Sequence, residues 1–289
     1  MQSLWMVAAG LAFAAMGICV KIASASFSAA ELVFWRSLGT LVMSALLLLH
    51  RRLPVTTTRF GMHTHRGVAG FVSLFMFFYA LTELPVATAM TLNYTSPLFL
   101  AILFAVLTRE RAGRKLAGAL AAGFAGAALL LQPSLSGDQW WPAAVGLGSG
   151  ALAAVAYWNV QQLVRADEPV ERVVFYFALY STAGALVWML PQTWHPVTWS
   201  NAGSLAGVAI LGTIGQVLLT QAYGKGRPLV SAALSYSGIV FSAVLGMVIF
   251  GDRLPLLSWL GIALIVAAGL VAVQARQQTK VAPPQVTND

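Results

Sequence analysis

Residues 80–111 read ALTELPVATAMTLNYTSPLFLAILFAVLTRER, and residues 222–253 read AYGKGRPLVSAALSYSGIVFSAVLGMVIFGDR. Laid over one another at an offset of 142 positions, they pair Ala80 with Ala222, Leu92 with Leu234, Tyr94 with Tyr236 and Phe99 with Phe241. The register continues through Ala101/Ala243, Leu103/Leu245, Val106/Val248 and Arg111/Arg253, with Glu110 opposite Asp252. Apolar stretches match by chance fairly often, so the polar turns carry more weight. Arg109-Glu110-Arg111 falls on Gly251-Asp252-Arg253. An offset of 140 also pairs Val20 with Val160, Glu31 with Glu171 and Val33 with Val173. The chain reads as one unit written twice.

The solvent of that unit follows from composition. Charged residues make up 9% of the 289 and apolar residues 58%, where a soluble domain carries about 25% charged residues. Too few polar side chains are present to clothe a water-exposed surface, and a water-soluble enzyme is excluded. Ten apolar stretches stand out, at about 4–22, 29–49, 67–84, 86–107, 116–132, 143–164, 173–190, 202–223, 229–249 and 256–274. One helical crossing takes about 20 residues, so the connections between them are short and no large extramembrane domain fits. Backbone in lipid must satisfy its hydrogen bonds within each segment. The expected fold is therefore an all-α membrane protein of ten transmembrane helices.

Charge sets the orientation. With the N-terminus in the cytoplasm, the inner loops hold Arg51, Arg52, Arg59 and Arg66, then Arg109, Arg111, Arg114 and Lys115. Later inner loops add Arg165, Arg172, Lys225 and Arg227, and the tail adds Arg276 and Lys280. Lys21 and Arg253 are left outside, and Arg36 lies within a segment. That is the positive-inside bias, so the net charge of +8 reads as topology and not as a nucleic-acid partner. Both termini are expected on the cytoplasmic side. Ala23-Ser24-Ala25 resembles a signal-peptidase site, but no Lys or Arg precedes the first stretch, which is expected to be retained. Cys19, the single cysteine, reads as a small packing residue.

Five crossings per copy is an odd number, so the second copy enters the membrane from the opposite side. The expected domains are 1–137 and 138–276, two inverted five-helix repeats, followed by a disordered cytoplasmic tail at 277–289. Inverted repeats supply two related conformations by exchanging the shapes of their halves, which is the logic of alternating access.

The paired halves, the turns Thr108-Arg109-Glu110-Arg111 and Phe250-Gly251-Asp252-Arg253, and the Gly/Ala-rich segments after each are family-like features. So are Phe34-Trp35-Arg36 and Leu92-Asn93-Tyr94-Thr95-Ser96-Pro97. With them the chain resembles the drug/metabolite transporter superfamily, in its EamA-type ten-helix branch, over residues 3–275. Within that branch it looks most like the YddG group of aromatic amino-acid exporters. The resemblance implies a carrier of small molecules rather than an enzyme.

Ionisable residues inside a membrane are costly and usually functional. Arg36 sits seven residues into the second stretch, roughly 10 Å along a helix. It reads either as a cation facing a cavity or as an outer-half Arg that snorkels or braces a neighbour. Lys21, Glu31 and Glu83 fall at outer segment ends as rim residues. Pro97 alone among the prolines lies deep in an apolar stretch and leaves the carbonyl of Asn93 without its helical donor. Asn93 then offers a carbonyl and an amide near mid-membrane, with Tyr94 adjacent and its partner Tyr236 at matching depth. The competing reading is a packing kink satisfied by Thr91.

Tyr79, Trp158, Asn159 and Gln216 complete the candidate substrate contacts, although a buried Trp is more often packing than ligand contact. Glycines at 118–126, 146–150 and 261–269 read as close helix contacts. No buried nucleophile with an acid or base partner is legible, nor a phosphate loop, metal cluster or cofactor site. His50, His63, His65 and His195 fall in or beside loops, and no acid lies near mid-membrane. That pattern favours facilitated movement over proton antiport.

The expected function is export of Phe, Trp or Tyr and related amphipathic metabolites by alternating access. A carrier of another metabolite, such as a purine, neutral amino acid or drug, stays open, as does a non-transporting scaffold. The partners are the bilayer and a small-molecule substrate; oligomeric state is left open, a monomer being sufficient. Cysteines introduced singly at 109 and 252 in a Cys19→Ser background are expected to react with impermeant reagent from opposite faces of the membrane. Labelling from one face would remove the inverted arrangement.

Overall fold

The computed structural model describes residues 2–109, 113–134, 137–251 and 253–278. Expectations for Glu110, Arg111, Asp252 and the tail from residue 279 lie outside the described residues. Within them every regular element is a helix. A 3₁₀ turn at Gln2–Leu4 leads into α1 (Trp5–Ala23), α2 (Ala29–His50) and α3 (Phe60–Glu83). Then come α4 (Val86–Asn93), α5 (Ser96–Thr108), α6 (Arg114–Leu131), α7 (Trp140–Arg165) and α8 (Val170–Met189). The chain continues through α9 (Trp199–Lys225), α10 (Pro228–Ser235), α11 (Ser237–Phe250) and α12 (Leu256–Gln278). Helices α4 and α5 share one span, as do α10 and α11.

Nine spans among the described residues are long and apolar enough to cross a bilayer. Helix α3, at 24 residues, matches them in length but carries His63, His65 and Arg66 in its first turns. It starts at Phe60 and not near residue 67. Hydropathy ends a stretch at its first charge, whereas the hydrogen-bond ladder continues until a real breaker, here the loop after Pro54. Arg66 is therefore a helical residue, buried to 3% exposure, and the inner-loop expectation for it is corrected. His63 is likewise inside α3 and fully buried.

The spans pair across the sequence halves. Helix α3 packs along α7, α1 along α9, α2 along α8 and α6 along α12. Small residues permit the closest of these approaches. A Cβ at Gly126 of α6 would stand 2.8 Å from the Gly261 carbonyl oxygen of α12 and 2.9 Å from Ile265 Cγ1. Cys19 sits against Gly207 where α1 meets α9, a packing position.

Two spans are broken, and a hydroxyl closes the turn in the same way at each. Helix α4 ends at Asn93, and α5 begins with Ser96-Pro97, a first-turn place where proline's missing N–H is harmless. Thr95 Oγ1 donates to the Leu92 carbonyl at 2.5 Å. At the other break Ser237 Oγ donates to the Leu234 carbonyl at 2.7 Å. The offset of 142 equates these two bonds residue for residue. Thr91, suggested from sequence as the mending group, bonds Ala87 one turn earlier.

Each break rests on a glycine. A Cβ at Gly150 of α7 would lie 2.5 Å from Thr95 Oγ1, and one at Gly10 of α1 would lie 3.0 Å from Gly238 Cα. Gly10 and Gly150 stand 140 positions apart. The following helices also close alike, α5 in a left-handed Arg109 (φ 58°) and α11 in a left-handed Gly251 (φ 71°).

Gly126→Val is expected to lower the Tm of purified protein by several degrees, because overpacking a tight contact costs about 1–3 kcal/mol. An unchanged Tm in a thermal-unfolding assay would mean that the α6–α12 contact is slack.

Candidate functional site

Between the two sets of spans lies a cavity of about 550 Å³. Its wall is mostly apolar and aromatic, including Phe13, Phe77, Phe78 and Phe177. Polar groups converge on it from several helices: Arg36 (α2), Arg66 (α3), Asn93 and Tyr94 (at the α4–α5 break), Tyr157 (α7) and Gln216 (α9). A few placed polar groups in an apolar wall are the usual anatomy of a small-molecule site.

The cavity is not symmetric between the faces of the bundle. Val20, Leu32, Leu81 and Val86 carry its lining to the face that holds the α1–α2 turn, and Val86 is 60% exposed. Toward the other face it ends at Met6 and Tyr223, both buried. The ring of Tyr223 stacks on Tyr157 at 4.5 Å between centroids and 13° between planes. The short helices repeat this difference. Three of the eight residues of α4 are buried, against seven of the eight of α10. Since α4 and α10 hold matching places in the two halves, one face is open and the other shut.

Arg36 and Arg66 dominate the electrostatics. Among the described residues no Asp or Glu lines the cavity. Arg36 Nε and Arg66 Nε and Nη1 are buried without a hydrogen-bond partner among the described residues. The Arg66 guanidinium lies 4.1 Å above the Phe177 ring, and that of Arg36 lies 6.0 Å from the centroid of Phe13. Tyr157 is within electrostatic range of both. Gln216 Nε2 is a further buried donor without a partner among the described residues. Guanidinium donors in such a setting suit a planar oxyanion.

Of the residues expected from sequence, Arg36, Asn93, Tyr94 and Gln216 meet at the cavity. Asn93 is partly engaged, its Nδ2 donating to Ser149 Oγ at 3.0 Å. Tyr236 is fully buried behind the lining, 6.2 Å from Tyr94 between ring centroids. Its hydroxyl has no partner among the described residues. Pro97 lies in the first turn of α5, just after the break.

Tyr79, Trp158 and Asn159 lie away from the lining. Trp158 packs edge-on against Phe104 of α5 at 5.5 Å, and Asn159 Nδ2 bonds the Val155 carbonyl of its own helix. Sequence depth places a residue along a helix but not around it, hence these three. Arg66 was missed because its charge ended the apolar stretch. The signal that could have found it is the shortness of that stretch, about two residues below a full crossing.

A second cluster ties the halves at the shut face. Glu168, in the α7–α8 turn, accepts from Thr57 Oγ1 at 2.5 Å and from Arg172 Nη1 at 2.9 Å. Arg172 also donates to the Pro54 carbonyl, and Tyr176 Oη to the Val55 carbonyl at 3.1 Å. His63 Nε2 lies 3.2 Å from Glu168 Oε2, off the hydrogen-bond axis. Burial alone would raise the Glu168 pKa; the bonds from Thr57 and Arg172, with the His63 imidazole beside them, hold it below its ordinary value. At the open face Glu31, read from sequence as a rim residue, is fully buried. It caps α2 through Ser28 and accepts from the His195 backbone N–H at 2.7 Å. Among the described residues no group of His, Cys, Asp and Glu is arranged to hold a metal.

A sequence profile of the EamA-like transporter family matches residues 1–132 and again residues 141–274. The pseudopaline exporter CntI of Pseudomonas aeruginosa is 34% identical over 265 residues, covering 91% of this chain and 92% of that one. An uncharacterized transporter of Helicobacter pylori is 29% identical over 275 residues, 91% of each chain. The riboflavin transporter of Vibrio cholerae is 27% identical over 283 residues, with 96% and 94% covered. A solved crystal structure superposes with a TM-score of 0.85 at 19% identity, covering 96% of this chain and 98% of its own, and shows the same fold.

Because the folded-state pKa of Glu168 is depressed, its contribution is present above the ordinary carboxylate range and lost as pH falls through the lowered value. Glu168→Gln is expected to destabilise the purified protein at pH 7 by about 1–3 kcal/mol. The gap between variant and parent should narrow as pH falls through the ordinary carboxylate range and close below it. A gap that persists unchanged there in thermal unfolding would place the effect elsewhere.

Proposed function

The chain belongs to the EamA-like transporter family, and from that membership we propose that it exports amphipathic carboxylates across the bacterial inner membrane by alternating access. It is a multi-pass membrane transporter. Phe, Trp and Tyr are the narrowest candidates, and larger metabolites with an acidic group and an apolar body are the wider ones. In this reading both termini are cytoplasmic, residues 1–137 and 138–276 are inverted repeats, and no catalysis is involved.

The observation that carries the reading is the pair Arg36 and Arg66, two guanidiniums facing an apolar cavity that offers them no carboxylate. A substrate carboxylate supplies what the wall lacks. The phenyl rings of Phe13, Phe77, Phe78 and Phe177 would receive the body. Gln216 Nε2 and the Asn93 and Tyr94 polar groups would orient it. Similarity to a pseudopaline exporter and a riboflavin transporter supports a metabolite route and widens the candidates beyond amino acids. An amino acid's ammonium gains least here, since its neighbours would be two cations and a few neutral acceptors.

The unequal burial of α4 and α10 supports the transport cycle. In the opposite state α10 would open and α4 would be covered. With N-terminus inside, the state described is the outward-open one. A non-transporting scaffold has no need of a 550 Å³ cavity with unpaired cations.

Counterflow of labelled Phe into proteoliposomes, competed by a panel of aromatic acids, neutral amino acids, purines and cationic drugs, tests the reading. Saturable flux inhibited by the acids, and reduced at least tenfold in Arg36→Gln and Arg66→Gln, is expected. Its rate should be unchanged by an imposed pH gradient. Absence of competition by any carboxylate would sink the proposal.

A further inference from the structure

Resting on that reading, we propose that the cavity takes solutes bearing two carboxylates, one at Arg36 and one at Arg66, with an apolar spacer between them. A single carboxylate would neutralise one guanidinium and leave the other uncompensated in a low-dielectric wall, which is expensive. Two carboxylates remove both charges at once. No lining acid and no ion pair among the described residues does this in the empty cavity.

The two arginines enter the cavity from opposite ends of the bundle. Arg36 enters about 10 Å from the end of α2 at the open face, and Arg66 about 9 Å from the start of α3 at the shut face. Each is seated by a glycine of its own. Gly212 of α9 leaves room for the Arg36 stem, where a Cβ would stand 3.3 Å from Nε. Gly70, one turn after Arg66, lets its head fold back along α3, where a methyl would collide with Nη1. The Arg66 head is thereby pressed onto Phe177 and aimed toward mid-membrane, while Arg36 approaches from the other side. Tyr157 of α7 also lines the cavity. Neither arginine has an arginine or lysine at the matching position of the second half: the offset of 140 that pairs Glu31 with Glu171 puts Tyr176 opposite Arg36, and the offset of 142 puts Val208 opposite Arg66. The two seats therefore stay with the first half whichever face is open.

The same two cations acting together should favour a diacid over a monoacid of equal length. Straight-chain α,ω-dicarboxylates with three to eight methylenes, and the monocarboxylates of the same lengths, would be titrated onto purified protein in nanodiscs by calorimetry, with Phe included. At one chain length the diacid is expected to bind at least tenfold tighter than its monoacid. That advantage should fall below threefold in both Arg36→Gln and Arg66→Gln. Gly70→Ala, which keeps both charges but displaces the Arg66 head, should reduce it as well. Alkyl phosphates, which carry two charges on one group, should bind like the monoacids.

Equal binding of diacids and monoacids at every length would overturn the two-seat arrangement, as would an advantage that survives both arginine variants. Alkyl phosphates matching the best diacid would overturn it too. If Phe and the monoacids bind and no diacid gains, the two-seat arrangement falls and the carrier of carboxylates stands. If nothing carboxylated binds, both fall.

Discussion

Hydrocarbon offers no hydrogen-bond partner to a peptide group, and every feature of this chain is arranged around that lack. Uninterrupted helices solve the problem within each span. Where a span is interrupted near mid-membrane, a hydroxyl of the break itself adds a bond to the carbonyl three residues back, Thr95 at one break and Ser237 at the other. Each break then lies on a helix reduced to glycine at the contact, Gly150 and Gly10. Broken helices in lipid need both conditions, a local donor and a neighbour close enough to exclude lipid. The same pair of solutions appears at both positions.

The cavity inverts the rule that governs the spans. There, polar groups are left unpaired on purpose. Arg36, Arg66 and Gln216 keep donors without protein partners among the described residues, and the apolar wall around them makes that state costly. What the scaffold withholds from these groups is what a solute can bring. The carboxylates of the chain are meanwhile placed at the rims. Glu31 and Glu168 each collect several donors and fasten the two halves together, Glu31 from α2 to the loop at His195 and Glu168 from the α7–α8 turn to the loop at Thr57.

How far the sequence spoke follows from what kind of signal each residue sends. Spans are long averages over apolar side chains and are legible as such. The break at Pro97 is legible because proline cannot donate. Its counterpart at Tyr236 has no proline, only Ser-Tyr-Ser-Gly, and was visible solely through alignment with the first half. Arg36 and Gln216 could be read from depth alone. Trp158 and Asn159 could not, because a helix turns a side chain to any compass point without altering hydropathy. Arg66 shows the converse failure: a charge near a span end is indistinguishable from a loop charge until the helix is seen to continue through it. The cavity's final cast, with Tyr157 and Tyr223 stacked at its floor, depends on helices far apart in the chain and has no local signature.

The unequal burial of α4 and α10 has a consequence for how these short helices can vary. On the proposed cycle each must serve in turn as a water-facing flap and as an interior plug. A bulky replacement tolerable in one role would jam the other, and a polar one would be stranded in the dry role. Their sequences, Val-Ala-Thr-Ala-Met-Thr-Leu-Asn and Pro-Leu-Val-Ser-Ala-Ala-Leu-Ser, contain no charge and no aromatic ring. They are compromises between two environments, and substitutions there should trade turnover against the resting preference for one face without touching solute recognition.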